Sequence, residues 1–119
     1  MARCQSRVVT PGPLYIVVDD ALLPGQQIAQ SIHAARAFQA AHHDVELAWF
    51  EISNTIAVLR GARGDIAYLT GMAELLDIPF ATFREPDLGN RVTAVALLPI
   101  LGTADAVKRR LRSLTLALS

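Results

Sequence analysis

Two periods of hydrophobic and polar positions alternate along this chain. The stretch LYIVVDD (residues 14–20) is a short apolar run rich in β-branched side chains and closed by two acids, the pattern of a strand covered on both faces. ALLPG turns the chain. From Gln26 to about Ala41 the spacing becomes helical, and Ile28, Ile32 and Ala35 share one face, which is expected to enter the core. HHDVELAWF predicts a short helix ending near Trp49, and NTIAVLRG a second strand closed by Gly61. RGDIAYLTGMAELLD reads as a further helix, with Asp65 suited to its N-terminus and Ile66, Leu69, Ala73 and Leu76 as its buried stripe. Gly71 inside that helix costs about 1 kcal/mol against alanine, so close packing is expected there. PFATFRE and RVTAVALLP are two more strands, joined so briefly that they pair as antiparallel neighbours. TADAVKRRLRSL predicts a last helix, capped by Thr103 and facing inward through Val107, Leu111 and Leu114, and TLALS adds a final extended piece.

Strand–helix–strand units favour parallel pairing with right-handed crossovers, and the last strand pair contributes an antiparallel element. The expected fold class is therefore α/β, in three layers: a mixed four-stranded sheet with helices on both faces. The 119 residues suit a single domain, taken as residues 14–119 behind a flexible leader, 1–13, that Pro11 and Pro13 keep from being helical. With 52% hydrophobic residues there is material for one buried core. No apolar run reaches the roughly 18 residues of a membrane span, and the leader is too polar and short for a signal peptide, so no membrane partner is expected. The one cysteine, Cys4, rules out a disulfide within the chain, and the cytoplasm is the expected compartment. Formal charge is zero, so any nucleic-acid binding has to rest on local patches. A mean hydropathy of +0.34 points to a buried self-interface, and a homodimer is expected. The chain carries no internal repeat and no low-complexity segment.

Within GQQIAQSIHAA (residues 25–35), Gln26, Gln30 and His33 fall on one helical stripe, because successive residues turn about 100°. A solvated face is the ordinary explanation of such a stripe. This one, however, has none of the Lys and Glu that usually fill solvated faces. It starts at a helix N-terminus, where unpaired N–H groups favour negative charge, and small Ala29, Ala34 and Ala37 beside it leave room for a ligand or a close-packed element. His33 is the stripe's one group able to move protons near neutral pH.

Taken with the strand before it, YIVVDDALLPGQQIAQSIHAA resembles the type-II peptidyl-tRNA hydrolases, whose members open with an apolar strand, a turn and a GKIAAQCSHAA-like helix start; Gly25, Gln30, His33, Ala34 and Ala35 coincide. The likeness runs on through Trp49 before the second strand, a helix, and an acidic loop before a strand ending at Pro99. It implies a mixed four-stranded sheet flanked by helices, hydrolysis of the ester that joins a peptide to the 3′ ribose of tRNA, and no metal or other cofactor. Two departures stand out. The family's lysine before the helix falls on Gln26, and its DAGxTQ loop is replaced by REPDLGNRVTA, in which Glu85 falls near the family's aspartate and Thr93 lies further on, inside a strand.

REPDLGNR gathers Arg84, Glu85, Asp87, Asn90 and Arg91 between two predicted strands. An ordinary turn accounts for Pro-Asp and Gly-Asn, while loops at sheet ends are also where function concentrates. Ester hydrolysis needs a positioned water and donors for a developing oxyanion. Catalytic candidates are His33, Glu85, Gln30 and Asp87: the carboxylates position water or hold His33, and His33 acts as base or donor. Substrate-binding candidates are Gln26 and Asn90, as donors to the ester carbonyl, and Arg91 and Arg84, facing a terminal phosphate. Lys108, Arg109 and Arg112 form either a tRNA backbone track or favourable cations near a helix C-terminus. His42, His43 and Asp44 lack zinc spacing and read as a solvated helix end. Two classes of function result: an esterase acting on peptidyl- or aminoacyl-tRNA, or a catalytically weakened homologue that binds RNA or protein, or assembles as a dimer.

Overall fold

The central strand, β1 (Leu14–Asp19), pairs on one side in parallel with β2 (Ile56–Gly61) and on the other antiparallel with β4 (Arg91–Leu97). β4 continues antiparallel to β3 (Phe80–Glu85), and β2 antiparallel to β5 (Thr115–Leu116). This computed structural model describes residues 12–99 and 105–117. Their sheet has five strands in the order β3-β4-β1-β2-β5, one more than expected, because the extended piece after the last helix docks on the free edge of β2. Cys4 and the leader up to Pro11, and Thr103 with its expected cap, lie outside the described residues.

Helices α1 (Pro24–Ala41) and α2 (His43–Ile52) cover one face of the sheet, and α3 (Arg63–Leu75) and α4 (Asp105–Arg112) the other. Alternation along β1 divides its side chains between two cores. Leu14, Ile16 and Val18 meet Ala34, Phe38 and Trp49, whereas Val17 joins Ile66, Leu69, Ala73, Val107 and Leu111. Leu114 packs against the second core from a half-buried position. No helix among the described residues is long and apolar enough to cross a membrane.

Helix α1 corrects the expected burial. Ile28 and Ile32 are 51% and 56% exposed, and the buried residues are Gln27, Gln30, Ser31, Ala34 and Phe38. Three of these are polar, and each is satisfied within the protein: Gln27 Nε2 donates to the Leu22 carbonyl at 2.8 Å, Ser31 Oγ to the Ile28 carbonyl at 2.7 Å, and Gln30 bonds two side chains of the sheet. Buried polar groups with partners are tolerated, and fully buried Ala34 belongs to the same core as the equally small Ala94 and Ala96 of β4. The helix starts earlier than its periodicity indicates, at Pro24, since proline suits a first helical position. Gln26 Oε1 then accepts the Leu23 N–H at 3.0 Å.

Helix α3 differs in two details. Leu76 is 38% exposed, beyond the helix end. Gly71 is exposed, and a Cβ there meets nothing within 4 Å, so it is not a close-packing glycine. Asp65 does serve the helix start, its Oδ2 accepting the Ala62 N–H at 2.9 Å. Its Oδ1 holds Arg110 of α4 at 2.9 Å, and that guanidinium lies 4.1 Å from the centre of the Tyr68 ring. His42 is not simply solvated: it closes α1, and its Nε2 lies 2.8 Å from the Phe80 carbonyl.

Candidate functional site

Both elements singled out by residue chemistry come to one end of the sheet. β1 ends at Asp19, and a short turn places the first turn of α1 over that end. β3 arrives antiparallel to β4 and ends at Glu85, followed by the single-turn helix Pro86–Leu88 and by Gly89 and Asn90, whose positive φ angles of 70° and 59° close the turn. Between them lies a cleft of about 250 Å³ lined by Gly25, Gln26, Ala29 and Gln30 from α1 and by Glu85, Asp87 and Leu88 from the turn, with Leu22 at its base.

A chain of hydrogen bonds crosses its wall. Gln30 is 6% exposed; its Nε2 donates to Glu85 Oε1 at 2.6 Å, and its Oε1 accepts from Thr93 Oγ1 at 3.0 Å. Glu85 Oε2 accepts the Asp87 N–H at 3.2 Å. The carboxylate is thus held from both sides by N–H donors, and the amide that holds it is itself oriented by a hydroxyl. Thr93 reaches Gln30 because the strand pairing slips there. Phe83 pairs with Ala94 and Arg84 with Val92, so Thr93 is an extra residue on β4. Such a bulge re-aims a side chain that strict alternation would send elsewhere.

The remaining candidates separate. Gln26 lines the cleft, its Oε1 committed to Leu23. The first N–H groups of a helix have no intrahelical acceptor, and Gly25 and Gln26 bring those groups to the cleft wall. His33 is exposed and lies one turn beyond, its ring stacked on Phe83 with centroids 4.5 Å apart and planes inclined 14°; it is not among the cleft's lining residues. Phe83 and Glu85 are two residues apart on one strand, roughly 7 Å, so the imidazole flanks the cleft instead of forming it. Arg84 is turned to its own loop, donating to the Asn90 carbonyl at 3.2 Å, and Asn90 does not line the cleft.

Arg91 departs furthest from expectation. It is the strand partner of Glu85, yet its Nη2 donates to Asp19 Oδ2 at 2.6 Å and its side chain lines a different cleft beside α3. It is therefore not a cation of the Glu85 cleft. The physical reason is Asp19, 1% exposed at the end of β1: a buried carboxylate needs a partner, and Arg91 supplies the charge. Sequence reasoning missed Thr93 and Asp19 as members of this region. A threonine next to the acidic loop was visible, but nothing local in the sequence announces a bulge.

Lys108, Arg109 and Arg112 are exposed on α4, on the sheet face away from this cleft. Among the described residues no group of three or more His, Cys, Asp or Glu side chains is placed to hold a metal ion. No model of a known protein family and no curated protein sequence matches the chain.

Proposed function

We propose that the cleft between α1 and Glu85 hydrolyses the ester of peptidyl-tRNA or of a related aminoacyl-tRNA. One observation carries this: Glu85, fixed by Gln30 at 2.6 Å, stands in the wall of a cleft whose other wall is the first turn of a helix. A carboxylate beside unpaired helix N–H groups supplies both a proton acceptor and an oxyanion site. In the reaction, Glu85 takes a proton from water as its oxygen attacks the ester carbonyl. The Gln26 amide and the N–H groups at the start of α1 receive the developing negative charge. The carbonyl–ribose bond breaks, and the 3′ oxygen leaves with the proton returned from Glu85. Gln30 and Thr93 are positioning residues, Asp87 fixes Glu85 through its backbone N–H, and His33 flanks the entrance. The likeness of GQQIAQSIHAA to the type-II peptidyl-tRNA hydrolases supports the choice of ester, as does the mixed α/β sheet that the likeness implies.

The test is release of an N-blocked amino acid from tRNA, with an active peptidyl-tRNA hydrolase as control. Turnover by the intact protein, abolished by Glu85→Gln and reduced by His33→Ala, is the expected result. No release beside an active control refutes the proposal. A second reading, a weakened homologue acting as a homodimeric binding module, is favoured by the exposure of Ile28 and Ile32 on α1. A monomeric mass in sedimentation refutes that one.

A further inference from the structure

Helix α1 and strand β3 are joined by two successive rungs. In the first, Gln30 holds Glu85 at 2.6 Å. In the second, His33 stacks on Phe83, with centroids 4.5 Å apart and planes inclined 14°. Alternate strand residues share a face, and residues three apart are neighbours on a helix, so the ring pair stands next to the carboxylate of the cleft. Phe83 is half-buried against the core under α1, whereas His33 is exposed. One face of the imidazole is therefore covered by Phe83, and the other is open to solvent. The cleft itself has no aromatic side chain among its lining residues, and its volume of about 250 Å³ is below the roughly 300–1,000 Å³ of sites that enclose a whole organic ligand. One turn further along α1 stands exposed Arg36, which has no ion-pair partner among the described residues.

We infer that the outer face of His33 is a stacking platform for the 3′-terminal base of an RNA chain, with Arg36 meeting the phosphate that precedes it. This platform rests on the ester chemistry proposed for the cleft and adds recognition of the nucleic acid to it. The cleft has room for an ester and the start of an acyl group, so the base on the same ribose lies outside it, at the rim. Phe83 is two strand residues from Glu85, roughly 7 Å, a step that matches the width of a ribose between the reacting ester and its base. An aromatic face accepts any base by stacking. The Phe83 ring already orders the imidazole, so little side-chain freedom is lost when the base arrives. A histidine standing alone on a solvated helix face has no such support. Planar guanidinium groups match phosphate oxygens. Recognition by one stack and one phosphate also suits a chain of zero formal charge, which has no broad field to hold RNA.

An RNA trinucleotide with 2-aminopurine as its 3′-terminal base tests this on the full chain, because stacking quenches the fluorescence of that base. Unlabelled trinucleotides ending in adenosine, or in a ribose that lacks a base, then compete with it. The intact protein is expected to quench the probe, and the base-lacking competitor to bind at least about fivefold more weakly than the adenosine one, the low end of base–aromatic stacking. His33→Ala weakens binding of the probe by a similar factor, and His33→Tyr, which keeps a ring on Phe83, restores it. Arg36→Gln weakens binding and lowers its salt dependence by about one phosphate contact. The two competitors are compared on the intact protein, so that arm decides the matter even where a variant fails to fold. Quenching that depends on His33 without ester release refutes the hydrolase alone, and ester release without such quenching refutes the platform alone. The inference is overturned if the probe is not quenched, if the two competitors bind equally, or if folded His33→Ala keeps full affinity.

Discussion

Replacing Gln30 with alanine tests the polar chain that holds Glu85. The substitution removes one bond to a carboxylate, at 2.6 Å, and one to a hydroxyl, at 3.0 Å. The first is worth about 1.5–3 kcal/mol and the second about 0.5–1.5 kcal/mol. Part of this is recovered. Thr93 Oγ1 already lies 3.5 Å from the Phe83 carbonyl and turns to it, and half-buried Glu85 gains water while keeping the Asp87 N–H. The net loss of stability is therefore about 2–3 kcal/mol. With a urea slope of about 1–3 kcal/mol per molar, the unfolding midpoint falls by roughly 0.7–3 M. Thr93→Val alone costs about 1 kcal/mol. Because the two residues share one bond, the double variant loses less than the sum by at least about 0.5 kcal/mol. A Gln30→Ala loss under about 0.5 kcal/mol, or strict additivity with Thr93→Val, refutes the idea that Gln30 links Glu85 to the bulge.

Two further predictions address packing. Ile28→Ser with Ile32→Ser changes stability by no more than about 0.5 kcal/mol per site, because both side chains are half-exposed, whereas Ala34→Leu costs about 1–3 kcal/mol by overpacking; chemical denaturation of the variants decides between this face of α1 and the one its isoleucines suggest. Gly61→Ala places a Cβ 2.8 Å from Val17 Cγ1 and 3.2 Å from Asp65 Cβ, an overpacking cost of about 1–3 kcal/mol. The melting temperature is expected to fall by roughly 3–6 °C for each kcal/mol, and Val17→Ala in the same chain to restore part of the loss; an unchanged melting temperature contradicts the close approach of β2 to β1.

The elements themselves were legible because their signals are local. LYIVV and AVALL are continuous apolar runs, and short runs of that kind are the mark of strands buried on both faces. The α3 stripe of Ile66, Leu69 and Ala73 repeats at the helical period and is buried as its spacing indicates. Helix α1 misled because alanines occur on several of its sides, which weakens the apolar period, and because its buried polar residues look solvated until their partners are known. Gln30 meets Glu85 and Thr93 across separations of 55 and 63 residues, so no window of the sequence contains the reason for its burial. The same holds for Arg91: read within its loop it is one of five polar neighbours, and Asp19, 72 residues earlier, turns it to the other face.

What the amino-acid order determined by itself was the succession of strands and helices, the three-layer α/β architecture, and the two segments whose chemistry pairs amides with carboxylates. Periodicity, turn residues and run length act over a few residues and need no distant partner. The tertiary structure alone decided which side of α1 meets the sheet, that Thr93 bulges out to reach Gln30, that His33 stacks on Phe83 at the rim of the cleft, and that Arg91 serves a different cleft from Glu85. Each of those outcomes depends on satisfying a buried polar or charged group with a partner that only the folded chain brings within hydrogen-bonding or stacking distance.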